Sequence, residues 1–229
     1  MITRGLLDQL LKSGQDLLQQ KAAGKSASKT GNGSDLGSLL KGAGGGALAA
    51  GALGLLLGNK SARKLGGKAL TYGGLAALGV LAYKAYGNWQ AQQATAPQNE
   101  PRTLDRLPAP QAEQHSQAIL KALVAAAKAD GHVDARERQL IEEELAKLTQ
   151  DVELRYWLDA ELNKPLDPAE VARAATTPEM AAEMYLASVL MVDEEHFMER
   201  AYLEELARQL RLDPGLKAEL ERQVRQELA

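Results

Sequence analysis

From about residue 114 to the end of the chain, apolar positions recur at three- and four-residue spacing, the period of helices with one buried face. Ile119, Leu120, Leu123, Val124 and Ala127 form one such stripe, and Met184, Leu186, Ala187, Leu190 and Met191 another. Helices are predicted at about 114–129, 135–148, 152–162, 168–175, 178–192, 196–210 and 214–228. Three of them announce their own starts. Asp167-Pro168, Thr177-Pro178 and Asp213-Pro214 each place a capping side chain before a proline, which suits the first helical turn because its missing N–H has no intrahelical partner there. The expected fold is all-α, with a C-terminal bundle of about seven helices over 112–229.

Two acidic turns punctuate this domain. In the first, Asp130-Gly131 supplies a turn, Asp134 is placed to cap the next helix, and Glu137 three residues later completes a capping box. In the second, an apolar helix runs into Asp193-Glu194-Glu195 before the charged start Phe197-Met198-Glu199-Arg200. The recurrence reads as a duplicated helix-turn-helix unit.

The first half of the chain is patterned differently. Within 1–35, Leu6, Leu7, Leu10, Leu11, Leu17 and Leu18 give an amphipathic helix, followed by a polar Gly/Ser-rich linker over 21–35. It lacks the basic start, unbroken apolar run and cleavage site of a secretory signal. Residues 36–90 read as a Gly/Ala-rich membrane anchor, one span or a helical hairpin. The run from Gly42 to Asn59 is uncharged, and Gly42, Gly46, Ala50, Gly54 and Gly58 fall at every fourth position. Such a stripe lets a second helix backbone approach closely, so these residues are expected to pack membrane helices and to support homo-oligomers. In water the same glycines would cost about 1 kcal/mol each relative to alanine. A basic turn, Lys60 to Lys68, leads to a second apolar run, Ala69 to Tyr83, with small residues at Ala69, Gly73 and Ala77. Tyr86 and Trp89 after Lys84 suit interfacial anchoring. The Pro/Gln-rich stretch 91–111 reads as a tether.

Charge sharpens the division. Residues 1–92 carry 11 Lys/Arg against 3 Asp/Glu, leaving 16 against 27 in the remainder, and no acid stands between Asp35 and Glu100. The rule that cytoplasmic flanks are positive places the basic turn inside, which sends both ends outward in a hairpin, whereas the basic N-terminal tail also favours the inside. A single span is expected to leave the N-terminal side in and the C-terminal domain out. The basic half brackets apolar runs and lacks a folded face with stacking aromatics, so no nucleic-acid partner is expected. Cysteine is absent, which excludes disulfides and thiolate chemistry.

Catalytic motifs are missing. Gly24-Lys25-Ser26 lacks the first glycine and the strand of a phosphate loop, and the glycines from Gly42 to Gly46 lack the strand and acidic partner of a dinucleotide site. No His-Glu-x-x-His or Gly-x-Ser-x-Gly occurs. The chain is therefore expected to be non-enzymatic, with no catalytic residue and no organic cofactor. One chemistry remains as an alternative: Asp130, Asp134, Glu137, Asp193 and Glu199 could converge on a divalent cation if the two acidic turns pack together. Capping accounts for Asp134 and Glu137 without a metal.

The stretches Asn59 to Leu65, Ala126 to Ala135, and Asp193 with His196 to Leu203 carry a resemblance. Together, in that order, they resemble the YebE-like family of bacterial inner-membrane proteins of unknown function, whose C-terminal region is similar to tellurite-resistance protein B. The resemblance runs from about Leu36 to the end. It implies a membrane-anchored helical domain at the bacterial inner membrane, with acidic turns that bind metal in some relatives, and no established enzyme activity. The functional expectation is a non-enzymatic, membrane-anchored interaction module in envelope or metal stress, with a divalent-metal-responsive binding domain as the alternative. Neither the protein partner nor the side of the membrane follows from the sequence.

Overall fold

Each Asp-Pro or Thr-Pro pair opens a helix at the proline. The structure, a computed structural model, describes residues 3, 5, 75–93, 100–129, 151–192 and 196–228. Among the described residues there are seven α-helices and no strand. They are α1 (Leu75–Gln92), α2 (Ala109–Ala127), α3 (Val152–Asn163), α4 (Pro168–Ala172), α5 (Pro178–Met191), α6 (Phe197–Gln209) and α7 (Pro214–Leu228), with a 3-10 turn at Leu104–Arg106 before α2. The expected helix 135–148 lies outside the described residues.

The caps form as the sequence implies. Asp167 Oδ1 accepts the Ala169 amide at 2.9 Å, Thr177 Oγ1 the Met180 amide at 3.1 Å, and Asp213 Oδ1 the Gly215 amide at 2.8 Å. Asp151 does the same for α3 through the Leu154 amide at 3.1 Å. Each satisfies a first-turn donor that the helix itself leaves unpaired. Helix α6 closes differently: Arg211 takes φ of 54°, and the Leu212 amide returns to the Ala207 carbonyl at 3.1 Å. This is the left-handed C-terminal turn that glycine usually provides.

Helix α5 is the centre. Met180 to Val189 are all buried, and α2, α1, α7 and α6 pack around it. A helix that is apolar on nearly every side belongs in the middle of a bundle. Helices α3 and α4 close the far side of α2, and α4 also supports α6.

The largest departure from the sequence reading lies in α1. The stretch from Leu75 to Tyr83 belongs to the second apolar run, expected as a membrane companion, yet α1 lies along α7 and α5. Leu78, Leu81, Ala82, Ala85 and Tyr86 are buried there. Their stripe meets protein side chains, each large apolar one contributing about 1.5–3 kcal/mol on full burial. Among the described residues, no helix is long and apolar enough to cross a membrane.

Part of the expected tether is also packed. Helix α2 begins at Ala109, about five residues before the predicted start, with Pro110 tolerated in its first turn. Before it, Thr103 and Leu104 are buried, and the 3-10 turn crosses α1. The crossing is close at Gly79, where an added Cβ would lie 2.7 Å from Asp105 Oδ1 and 2.9 Å from the Asp105 amide nitrogen. Arg106 completes the strap by stacking its guanidinium 3.8 Å from the Tyr83 ring centre.

Candidate functional site

Two polar constellations stand out in the bundle, one closed and one open. The closed one is a buried His115–Glu183 pair, with Nδ1 and Oε2 at 2.5 Å. His115 comes from the first half of α2 and Glu183 from the middle of α5. The other carboxylate oxygen of Glu183 accepts the Leu104 amide at 2.5 Å, so α5 holds both α2 and the strap through one side chain. Both oxygens are used, and neighbouring Ser116 donates to the Ala112 carbonyl. With Glu183 fully buried, this is a structural junction and has no room for a reactant.

The open constellation is a groove of about 360 Å³ between α2, α3 and the turn entering α5. Gln114, Gln117 and Lys121 line it from α2, Trp157 from α3, and Thr176 and Met180 from the entry to α5. Its volume falls at the lower end of the small-ligand range. Trp157, Met180 and alanines form apolar walls, and the two glutamines offer amides that both donate and accept. No histidine or carboxylate is among the lining residues, so the groove offers recognition groups and no acid–base pair.

An ionic network fixes the groove's edge. Lys121 Nζ donates to Glu170 of α4 at 2.6 Å, and this hydrogen bond holds the Glu170 carboxyl below its ordinary range. Lys164 pairs with Glu161, which raises the Lys164 ammonium, and stands 3.7 Å from Glu170. Lys128 Nζ caps the end of α3 by donating to the carbonyls of Glu161 and Lys164 at 2.6 and 3.0 Å. Its partial burial lowers its own pKa against the opposing pull of Glu161, while the helix C-terminus favours the cation.

Of the residues proposed from the sequence as metal ligands, Asp130, Asp134, Glu137 and Asp193 lie outside the described residues. Glu199 is buried in the first turn of α6 and engaged in a contact of its own. Among the described residues, no cluster of three or more His, Asp or Glu side chains is arranged to hold a metal. The expected membrane-packing residues Gly42, Gly46, Ala50, Gly54, Gly58, Ala69 and Gly73 also lie outside; Ala77 is helical, in the first turn of α1. No motif marked the groove. Gln114, Gln117 and Lys121 share a polar face of α2, but Trp157 joins them only through tertiary packing.

The family comparisons leave function open and settle kinship. A curated relative, described as "Uncharacterized protein in ampR 5'region" of Yersinia enterocolitica, is 32% identical over 114 residues, half of this chain and 82% of the relative. No solved structure matches. The tellurite-resistance-B-like character expected from the sequence agrees with the family found. A family model matches residues 42–224, most of the chain and nearly all the described helices, and the protein belongs to that family, "Protein of unknown function (DUF533)".

Proposed function

We propose that this protein is a non-enzymatic, membrane-anchored interaction module of the YebE-like kind at the bacterial inner membrane, presenting its helical bundle to a partner. The groove carries this reading: a pre-shaped space of about 360 Å³, walled by Trp157 and Met180 and edged by paired charges, is lined by the amides of Gln114 and Gln117 and by no reactive pair. The uncharged run Gly42–Asn59 and the basic residues flanking it support the anchor. Docking of α1 on α5 and α7 gives the anchor a firm connection to the bundle, because α1 follows it in the chain and is fixed by Asn88–Glu219 at 2.7 Å and Trp89–Asp213 at 2.8 Å.

Fractionation of cells in high salt tests the anchor. The full chain should stay in the membrane pellet, and release by salt would point to an electrostatic attachment instead. The groove is tested by Gln117→Arg with Ala174→Arg, which should abolish co-purification of a cross-linked partner while leaving the helical circular dichroism intact. Retention of that partner in the double variant would remove the groove from the reading.

A further inference from the structure

The most consequential contact outside the groove is made at the start of the chain. Thr3 is 1% exposed, and its amide donates to Glu113 Oε1 of α2 at 2.5 Å. Thr3 and Gly5 are helical, and an ionised carboxylate makes a stronger acceptor for the Thr3 amide than a neutral group would. Residue 3 is thus seated on the bundle that residues 100–228 build.

Resting on the membrane reading above, we propose that the anchor makes no net crossing: the chain's first residues and its helical bundle lie on one face of the membrane, the cytoplasmic face. A single crossing by Gly42–Asn59 would put about 30 Å of hydrocarbon between Thr3 and Glu113. Their observed contact forbids that. Two crossings would need a second span between Lys60 and Ala77, because α1 from Leu78 onward is occupied by the bundle. That interval holds 18 residues, among them Lys60, Arg63, Lys64 and Lys68, and four cations make it too charged for the bilayer centre. Both flanks of the run from Gly42 therefore stay on one face of the membrane.

The same geometry removes a conflict in the charge pattern. The flanks before Gly42 and after Asn59 are both basic. A single span must send one of them outward, whereas an anchor with both flanks on the cytoplasmic face keeps all of them where positive loops are retained.

The chain has no cysteine, so introduced thiols report cleanly. Ser28→Cys and Ala229→Cys, in separate full-length variants expressed in cells, should resist a membrane-impermeant maleimide in sealed spheroplasts and react fully after lysis. Labelling of either before lysis overturns the proposal. In Gly5→Cys with Gln114→Cys, both exposed positions beside the contact, which preserves Glu113 and the residue 3 amide, a short bis-maleimide should join the two sites within one chain; no product, or only linked dimers, would equally overturn it. A chain that cross-links internally but leaves the membrane pellet in high salt would instead sink the anchor reading while retaining the docking contact.

Discussion

Helices α5 and α1 invert what their hydropathy implies about their surroundings. Helix α5 is buried on nearly every side, yet carries the carboxylate of Glu183 at its centre. Helix α1 has no acidic residue and a single cation, Lys84, yet leaves Val80 and Lys84 exposed along one face. An apolar run reports only that a helix avoids water. Whether it meets lipid or protein depends on partners elsewhere in the chain: the Leu104 amide and His115 make Glu183 affordable inside, and Glu219 and Asp213 receive the polar end of α1.

Removing the carboxylate from α5 should have the largest effect. Glu183→Ala leaves His115 and the Leu104 amide buried without their shared acceptor, at a cost of about 3–5 kcal/mol. A shift of the urea midpoint in the purified chain measures this. Glu183→Gln keeps an acceptor for one partner and should cost less. Equal losses for the two variants would mean that the packing of the side chain matters and its hydrogen bonds do not.

The two glycines of α1 test its docking directly. Gly79→Ala drives a methyl group into Asp105, including its backbone, and should destabilise by about 1–3 kcal/mol despite the better helix propensity of alanine. At Gly87 an added Cβ meets nothing within 4 Å, so Gly87→Ala should stabilise by about 1 kcal/mol. Thermal unfolding of the pair decides the matter. A helix facing lipid along both positions would respond to them alike.

Acid should loosen the same junction. The hydrogen bond from Arg222, against an opposing contribution from burial and with help from Asn88 and Gln223, holds Glu219 down to about 2 from an ordinary 4.5. A depressed carboxylate contributes its full stability above its unfolded pKa and loses it as pH falls through the folded value. Stability should therefore decline between about pH 4.5 and about 2, and the decline should be shallower in Glu219→Gln. Fluorescence of Trp89 in a Trp157→Phe background follows the loosening of α1. An unchanged acid limb in Glu219→Gln would assign the decline to other carboxylates.

What could be read from the sequence follows the range of the interactions. Capping is local, so Asp167, Thr177 and Asp213 each located a helix start to within a residue. The stripes of α2 and α5 were legible because periodicity is local too. The strap was not, because nothing near Leu104 in the chain indicates that its amide meets a carboxylate 79 positions away. Prolines that suggested a tether also suit a helix start, and Pro110 plays that second part. The groove failed for the same reason as the strap: Gln117 and Trp157 belong to different helices, and no spacing rule links them. The acidic turns offered a capping and a ligand reading from the sequence, and Asp130, Asp134, Glu137 and Asp193, on which both rest, lie outside the described residues.

The smallest effect separates local from tertiary origin most cleanly. Arg211 sits at φ of 54° to turn the chain out of α6, a conformation that costs a side-chain-bearing residue about 1–2 kcal/mol. Glycine adopts it without that strain but loses about 0.5–1 kcal/mol more in conformational freedom on folding. The Leu212 amide to Ala207 carbonyl bond, which closes the turn, is main-chain and survives the change. Arg211→Gly should thus raise stability by about 0.5 kcal/mol, the difference between those terms, and the gain should be the same in a Gly79→Ala background because the turn and the strap share no partner. A gain that vanished in that background would show the α6 turn and α1 docking to be coupled, and the division between local punctuation and long-range packing would not hold at this turn.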